Sequence, residues 1–219
     1  MIPPATAPGA ASAPPSESPL RSRAAWTVLL IASVLGLVAD LVTKWAAFRF
    51  LDDAPVVVSR EAVLAAHSPM DTLPAPIPRV EVIRGVLDLT LVLNPGAVFG
   101  IGAGKRVVFM IFTVLALGFA FALFARWTHR RDHLSHAALG LLISGGLGNL
   151  YDRMMFACVR DFLHPLPGMV LPFGWSWPWG GREVWPYVSN VADLALIIAI
   201  AILIWRTLRP FKVVEGTKP

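Results

Sequence analysis

The chain has 219 residues, 56% of them hydrophobic and only 15% charged, with a mean hydropathy of +0.64. A soluble domain of this size carries roughly a quarter charged residues, so an ordinary water-soluble fold is excluded and a membrane protein is expected. The net charge of +5 does not indicate a nucleic-acid partner, because the basic residues flank the apolar runs instead of gathering on a polar surface.

Residues 1–22 are rich in Ala, Pro and Ser and have no periodic pattern, which reads as a disordered cytoplasmic tail. Arg21 and Arg23 precede an apolar run at about 25–47. That run is too long for the core of a cleaved signal peptide and ends in Asp-Leu-Val-Thr-Lys, so an uncleaved span is expected. Further apolar runs lie at about 107–127, 134–151 and 188–208. Each is close to the roughly 20 residues needed to cross a hydrocarbon core about 30 Å thick. Gly140, Gly145, Gly146 and Gly148 dilute the third run; small residues there predict close helix packing.

Arg126, Arg130 and Arg131 follow the second run, and Arg206, Arg209 and Lys212 follow the fourth. Short loops rich in Lys and Arg stay in the cytoplasm. Both termini and the 128–133 loop are therefore expected inside. A four-helix membrane unit over 23–211 follows, with outer segments at 48–106 and 154–187 and a short cytoplasmic tail at 212–219.

Within the first outer segment, 52–79 holds several prolines and reads as a loop. Leu87, Leu89, Leu91 and Leu93 then alternate with Asp88, Thr90 and Val92, a period near two that predicts a strand. Asn94-Pro95-Gly96-Ala97 supplies turn chemistry, so a small outer sheet resting on the membrane is expected. In the second outer segment Trp175, Trp177, Trp179 and Trp185 stand among Pro and Gly, a pattern for an interfacial loop or short amphipathic element. Cys158 is the only cysteine, which excludes an intrachain disulfide and fits a small packed hydrophobe. His129 and His133 are helically spaced but sit among arginines, and neither they nor His67, His136 and His164 are expected to ligate a metal.

Four carboxylates, Asp40, Asp152, Asp161 and Asp193, fall at the ends of the apolar runs on the expected outer face. Ionisable groups at membrane depth cost several kcal/mol, so a functional site is the first reading. Asp40 and Lys44 share a helical face; they either brace that site or snorkel to the surface as a terminal pair. Asn149, Asp152 and Arg153 close the third run, where Arg153 could simply offset the helix-end dipole. Asp161 lies just outside that run. Asp193 lies in the first turns of the fourth with Asn190 on its face, where a helix-capping role is the plain alternative. If the carboxyls of Asp161 and Asp193 meet, repulsion leaves them sharing one proton near neutral pH. One can then take a proton from water while the other donates to a carbonyl oxygen, the chemistry of aspartic peptide hydrolysis. A proton-coupled carrier would use similar carboxylates, yet the inner halves of the runs are plain Leu, Ile, Ala, Val and Phe, and no internal repeat is visible. A scaffold whose polar residues only glue helices leaves the shared face unexplained.

These residues resemble the lipoprotein signal peptidases (signal peptidase II), bacterial membrane aspartic proteases, over about 40–205. Asp40-x-x-Thr43-Lys44, Asn94-Pro-Gly96-Ala97-Val-Phe99, Gly145-Gly146-x-Gly148-Asn149-x-x-Asp152-Arg153, Val159-Arg-Asp161-Phe162 and Asn190-Val-Ala192-Asp193 are similar to that family's blocks, in order. The resemblance implies that Asp161 and Asp193 are catalytic and that Asp40, Lys44, Asn94, Gly96, Asn149, Asp152, Arg153 and Asn190 bind substrate or support the pair. It implies four transmembrane helices with a small β-cradle and an interfacial element. It also implies an enzyme of the bacterial inner membrane with its site at the outer leaflet, working as a monomer among membrane lipids without metal or cofactor. The implied substrate is a prolipoprotein whose lipobox cysteine carries diacylglyceryl, cut on the amino side of that cysteine. Ser189 departs from the family, which usually has an aromatic there; the outer segments 52–79 and 164–186 are longer than usual, and the Pro/Ala-rich tail has no counterpart.

Overall fold

The computed structural model describes residues 18–96, 106–178 and 180–209. Residues 1–17 of the tail expected at 1–22, the tail expected at 212–219, and Ala97, Phe99 and Trp179 lie outside the described residues; the last part of the first tail is ordered, with a 3-10 turn at Pro19–Arg21.

Four long helices form a bundle: α1 (Arg23–Phe50), α3 (Arg106–Trp127), α4 (His133–Met155) and α5 (Val191–Leu208); α2 (Arg60–Ala65) is a single short turn in the first outer segment. Side chains set the starts. Ser22 accepts from the Ala25 N–H to open α1, Asp132 accepts from the Ser135 N–H to open α4, and Asn190 with Asp193 forms a reciprocal capping box at α5. Among the described residues α1, α3 and α5 are long and apolar enough to cross a membrane. Their exposed side chains are the ones a lipid solvent accepts, such as Leu30, Val34, Phe112, Leu115, Ile197 and Ile204. These are three of the four spans expected from the sequence. Helix α4 is less apolar because it carries Ser135, His136, Ser144 and glycines, of which Gly140, Gly145 and Gly148 are turned inward and buried with the three polar side chains.

Helix α4 packs against α1, α5 and α3, and its glycines allow it. A Cβ on Gly140 would lie 2.6 Å from the Leu29 carbonyl oxygen of α1, and one on Gly145 would lie 2.6 Å from the Ala192 carbonyl oxygen of α5. The dilution of the third run therefore marks a helix wedged between neighbours, as the small residues predicted.

The start of α1, the end of α3, the start of α4 and the end of α5 share one end of the bundle. There Ala25, Leu29, Ala120, Phe124 and Leu139 form a core, and Arg206 pairs with Asp132 at 2.9 Å. The opposite end carries an antiparallel sheet in the order β1 (Arg79–Ile83), β2 (Leu87–Asn94), β3 (Val159–Pro165). A bulge between Leu89 and Val92 lets β2 bury Asp88 on one stretch and Leu91 and Leu93 on the next. Beneath the sheet, Leu91, Leu93, Cys158 and Phe162 pack on Ala47 and Phe48 of α1.

The 52–79 segment is not the plain loop expected. It contains α2, capped by Ser59, and a 3-10 turn at Pro69–Thr72 with a Ser68–Asp71 capping box. Val63, Met70 and Leu73 from it close the core under the sheet. So short a helix shows no period in the sequence and is held by caps and packing instead. The Trp-rich 164–186 segment folds back as a hairpin, bridged between Val170 and Glu183, with a 3-10 turn at Pro172–Gly174.

The packing predicts opposite results at two glycines. Gly145→Ala must push α4 from α5 and should lower stability by about 1–3 kcal/mol, seen as a fall in Tm in detergent. Gly118→Ala, with nothing within 4 Å of its new Cβ, should hold or slightly raise Tm.

Candidate active site

The sheet end of the bundle gathers every site residue expected from the sequence. Helix α1 supplies Asp40 and Lys44, β2 and its turn supply Asn94 and Gly96, and α4 supplies Asn149, Asp152 and Arg153. Strand β3 supplies Asp161, and the α5 cap supplies Asn190 and Asp193.

At its centre lies the Lys44 ammonium, without solvent exposure. Its Nζ donates to Asp40 Oδ2 at 2.8 Å and to Asn149 Oδ1 at 3.0 Å, and lies 3.5 Å from Asp152 Oδ2. The pair that could have snorkelled to the surface is thus a buried cross-link of α1 to α4. The other oxygen of Asp40 accepts the Ala192 N–H at 2.9 Å, tying in α5. Asp152 is neutralised from its far side by Arg160, through the backbone N–H at 2.9 Å and Nη2 at 2.8 Å. The Arg160 guanidinium also stacks over Phe156, 4.2 Å from the ring centre.

This cluster decides how two amides point. Lysine can only donate, so Asn149 must turn Oδ1 to Lys44, which leaves its Nδ2 to donate to Asp193 Oδ1 at 2.8 Å. Asn190 is fixed likewise, because its Oδ1 accepts the Asp193 backbone N–H at 3.0 Å. Its Nδ2 then donates to Asp161 Oδ1 at 2.6 Å and to Asn149 Oδ1 at 3.2 Å. Gly96, with φ +96, makes the left-handed turn that lets its N–H donate to Asn94 Oδ1 at 2.9 Å. Asn94 Nδ2 is thereby aimed at Asp161 Oδ2, 3.1 Å away. Both aspartates hang in one web of amides.

Asp161 stands on a strand, opposite Val92 in the sheet, and not at the end of the third helix. What brings it to α5 is the backbone of Ser189: it accepts the Leu163 N–H and donates to the Leu163 carbonyl, each at 2.8 Å. The capping role of Asp193 is real, since its Oδ2 accepts the Asn190 N–H at 3.3 Å, and it coexists with the contact to Asn149. Arg153 also does what a helix-end cation does, donating to the Asn149 carbonyl at 3.2 Å, yet its charge is coupled to Asp193 and Asp161 as well.

Burial, and next the charge of Asp193, push the Asp161 carboxyl up to about 7, against the donors of Asn190 and Asn94. Burial and the charge of Asp152 push the Cys158 thiol up to about 12, so this cysteine stays a packed, inert thiol. Arg160 escaped sequence reading. It occupies the variable position of the Val159-x-Asp161-Phe162 block, and its partner Asp152 sits across a chain reversal with no helical spacing to betray the pair.

Comparison with known proteins gives this chain a family. A family model described as signal peptidase (SPase) II matches residues 32–209. The chain is 33% identical to a lipoprotein signal peptidase of Moorella thermoacetica over 153 residues, 70% of this chain and 85% of that protein. It is 31% identical to the lipoprotein signal peptidase of Azoarcus sp. over 159 residues, 71% of this chain and 77% of the relative. In fold it is similar to a bacterial membrane enzyme solved by the in meso method, with a TM-score of 0.58, 24% identity, and coverage of 88% of this chain and 95% of the other.

Removing one partner of a buried charge cluster leaves the others unpaired, at roughly 3–5 kcal/mol. Lys44→Met should therefore destabilise the protein strongly. Asp40→Leu in the same background should cost much less than the two single changes summed, as a double-mutant cycle in thermal unfolding will show.

Proposed function

The chain belongs to the signal peptidase II family, and we propose that Asp161 and Asp193 are the acid and base with which it cuts its substrate. The protein is a multi-pass membrane protease that removes signal peptides from prolipoproteins. The observation that carries the residue assignment is the bridge of amides: Asn190 holds Asp161 and the Asp193 backbone, Asn149 holds Asp193, and both asparagines are oriented by fixed donors.

In this reading Asp193 takes a proton from a water lying between the two carboxyls. The water oxygen bonds to the scissile carbonyl carbon while Asp161, whose raised affinity for a proton suits it to the acid's part, donates to the carbonyl oxygen. The tetrahedral gem-diol collapses as the C–N bond breaks. The leaving nitrogen takes the proton held by Asp193, and the proton on the diol returns to Asp161. Asn94, Asn149 and Asn190 hold the carboxyl oxygens still, so little reorganisation is needed during reaction. Asp40, Lys44, Asp152 and Arg160 support those amides. Arg153 has a buried Nε with no hydrogen-bond partner among the described residues, and it is assigned to a substrate carbonyl near the turn at Gly96.

The resemblance supports a diacylglyceryl-modified lipobox cysteine as substrate, cut on its amino side. Helix α4 is assigned as the fourth span: its 23 residues extend about 34 Å, and its inward polar residues need no lipid because neighbouring helices cover them. The basic residues Arg126, Arg130, Arg131 and Arg209 lie at the end away from the site, which supports a cytoplasmic position for that end and for both termini, in the bacterial inner membrane. The peptidase unit is assigned to 23–211, with tails at 1–22 and 212–219. All site residues come from one chain, so a single copy suffices.

Purified protein incubated with a diacylated lipobox peptide in vesicles should release the leader. Asp161→Asn or Asp193→Asn should each lower kcat by about 10²–10⁴-fold or more with Tm little changed; retained cleavage would contradict the assignment. With Asp161 titrating at about 7, kcat/KM should fall as pH rises through that value and the acid form is lost. Asn94→Ala removes a donor that favours the ionised form, so this basic limb should move to higher pH.

A further inference from the structure

The chain between the two aspartates is built as a hairpin on a double foot. One foot continues from β3, which holds Asp161, and the other runs into the cap that holds Asp193. The feet are bonded to each other through Leu163 and Ser189. Beyond them the two arms pair: the Leu171 N–H donates to the Arg182 carbonyl and the Val184 N–H to the Met169 carbonyl, each at 2.7 Å. The Trp177 indole N–H donates to the Glu183 carbonyl at 2.8 Å.

The outer surface of this hairpin is apolar and open. Phe173 is 90% exposed, Trp175 66%, Val170 53%, Met169 46% and Trp185 36%. Phe173 has φ 58, a left-handed conformation costly for an aromatic residue, and its ring stands outward from the first arm, between the 171–182 pairing and the turn at Trp177–Gly181. The ordered pairing below it shows that this display is not a loose loop. A patch of this kind on a folded surface marks a contact with another apolar medium.

The start of α5 identifies that medium. Helix α5 crosses the membrane and begins at Val191, directly after the second foot, with Leu194 and Ile197 already exposed on its lipid side. The hairpin therefore leaves the protein where the chain meets the bilayer, and its apolar surface continues the lipid-facing one. Its charged residues are Arg182 and Glu183, which cancel. Tryptophans among Gly and Pro at such a depth favour the head-group boundary.

We propose that the 169–185 hairpin docks by Phe173, Trp175 and their apolar neighbours into the head-group boundary of the leaflet in which α5 begins, and thereby holds the active site against lipid-anchored substrate. Which leaflet face this is, and that the substrate is lipid-anchored, rest on the function proposed above; the docking itself does not. Because the segment is neutral, docking is driven by apolar burial and needs no anionic lipid.

Cys158 is the only cysteine, so Cys158→Ala clears the chain for single nitroxide labels. Labels at Phe173→Cys, at Phe112→Cys on exposed α3 and at Arg84→Cys on the exposed β1–β2 turn compare the hairpin's apolar face with lipid and with water. In phosphatidylcholine vesicles the 173 label should be relaxed more by oxygen than by a water-soluble nickel chelate, like 112 and unlike 84. Adding anionic lipid or salt should leave that ratio unchanged. Nickel accessibility at 173 matching that at 84 would overturn docking, and dipolar broadening between 173 labels would assign this face to a second copy instead. These readouts need no cleavage, so docking and the peptidase assignment can fail separately. The pair Phe173→Ser/Trp175→Ser should raise KM for the vesicle-bound diacylated peptide about tenfold with kcat nearly unchanged, the signature of lost binding; an unchanged KM would overturn the role in substrate capture.

Discussion

A lysine ammonium sealed from solvent is the constraint on which the rest of this molecule turns. Lys44 is held by Asp40, Asn149 and Asp152, and those three belong to α1 and α4. An ammonium this deep is tolerable only when its charge is matched and its donors are used. Asp40 and Asp152 supply two negative charges and Lys44 with Arg160 supplies two positive ones, so the support cluster is neutral without the aspartates above it. A buried ion cluster is weak evidence for added stability. Here its use is directional: a group that can only donate compels Asn149 to present its amide nitrogen to Asp193.

Packing makes that electrostatics possible. Gly148 of α4 lies against the Asp40 carboxyl so closely that any side chain would overlap it, and Gly140 and Gly145 bring α4 onto the backbones of α1 and α5. With larger residues the helices would separate, and hydrogen bonds of about 3 Å between them would break. Sheet and bundle are joined by the Arg160–Asp152 pair and by the packing on Ala47 and Phe48. The Leu163–Ser189 backbone bridge and the Asn190 amide carry β3 to the cap of α5. The chain from small residues to close helices, buried charge, oriented amides and paired carboxyls is continuous.

Much of this was legible in the sequence because membrane cost singles out polar residues in apolar surroundings. Asp40, Lys44, Asn149, Asp152, Asn190 and Asp193 announced themselves that way, and the alternation of Leu87 to Leu93 gave the strand. The reading failed where position depends on contacts distant in the chain. Asp161 looked like an appendage of the third helix because a short strand paired to Asn94 and Val92 has no local signature. Arg160 stood in a variable position, and its partner lies across a chain reversal. Helix α2 is too short for periodicity, and Val63 is recognisable as core only once the sheet exists. Ser189 departs from the usual aromatic, yet its work is done by the backbone, which any L-residue can supply.

If Asp161 and Asp193 act as a pair, they are electrostatically one site. That coupling is tested most directly by carboxyl-carbon NMR of aspartate-labelled protein, with the Asp161 resonance identified by its loss in Asp161→Asn. Asp161 should titrate at about 7 and move to lower pH in Asp193→Asn, because the neighbouring charge is gone. An Asp161 that titrates in the ordinary carboxylate range, or whose titration is indifferent to Asp193→Asn, would contradict the account.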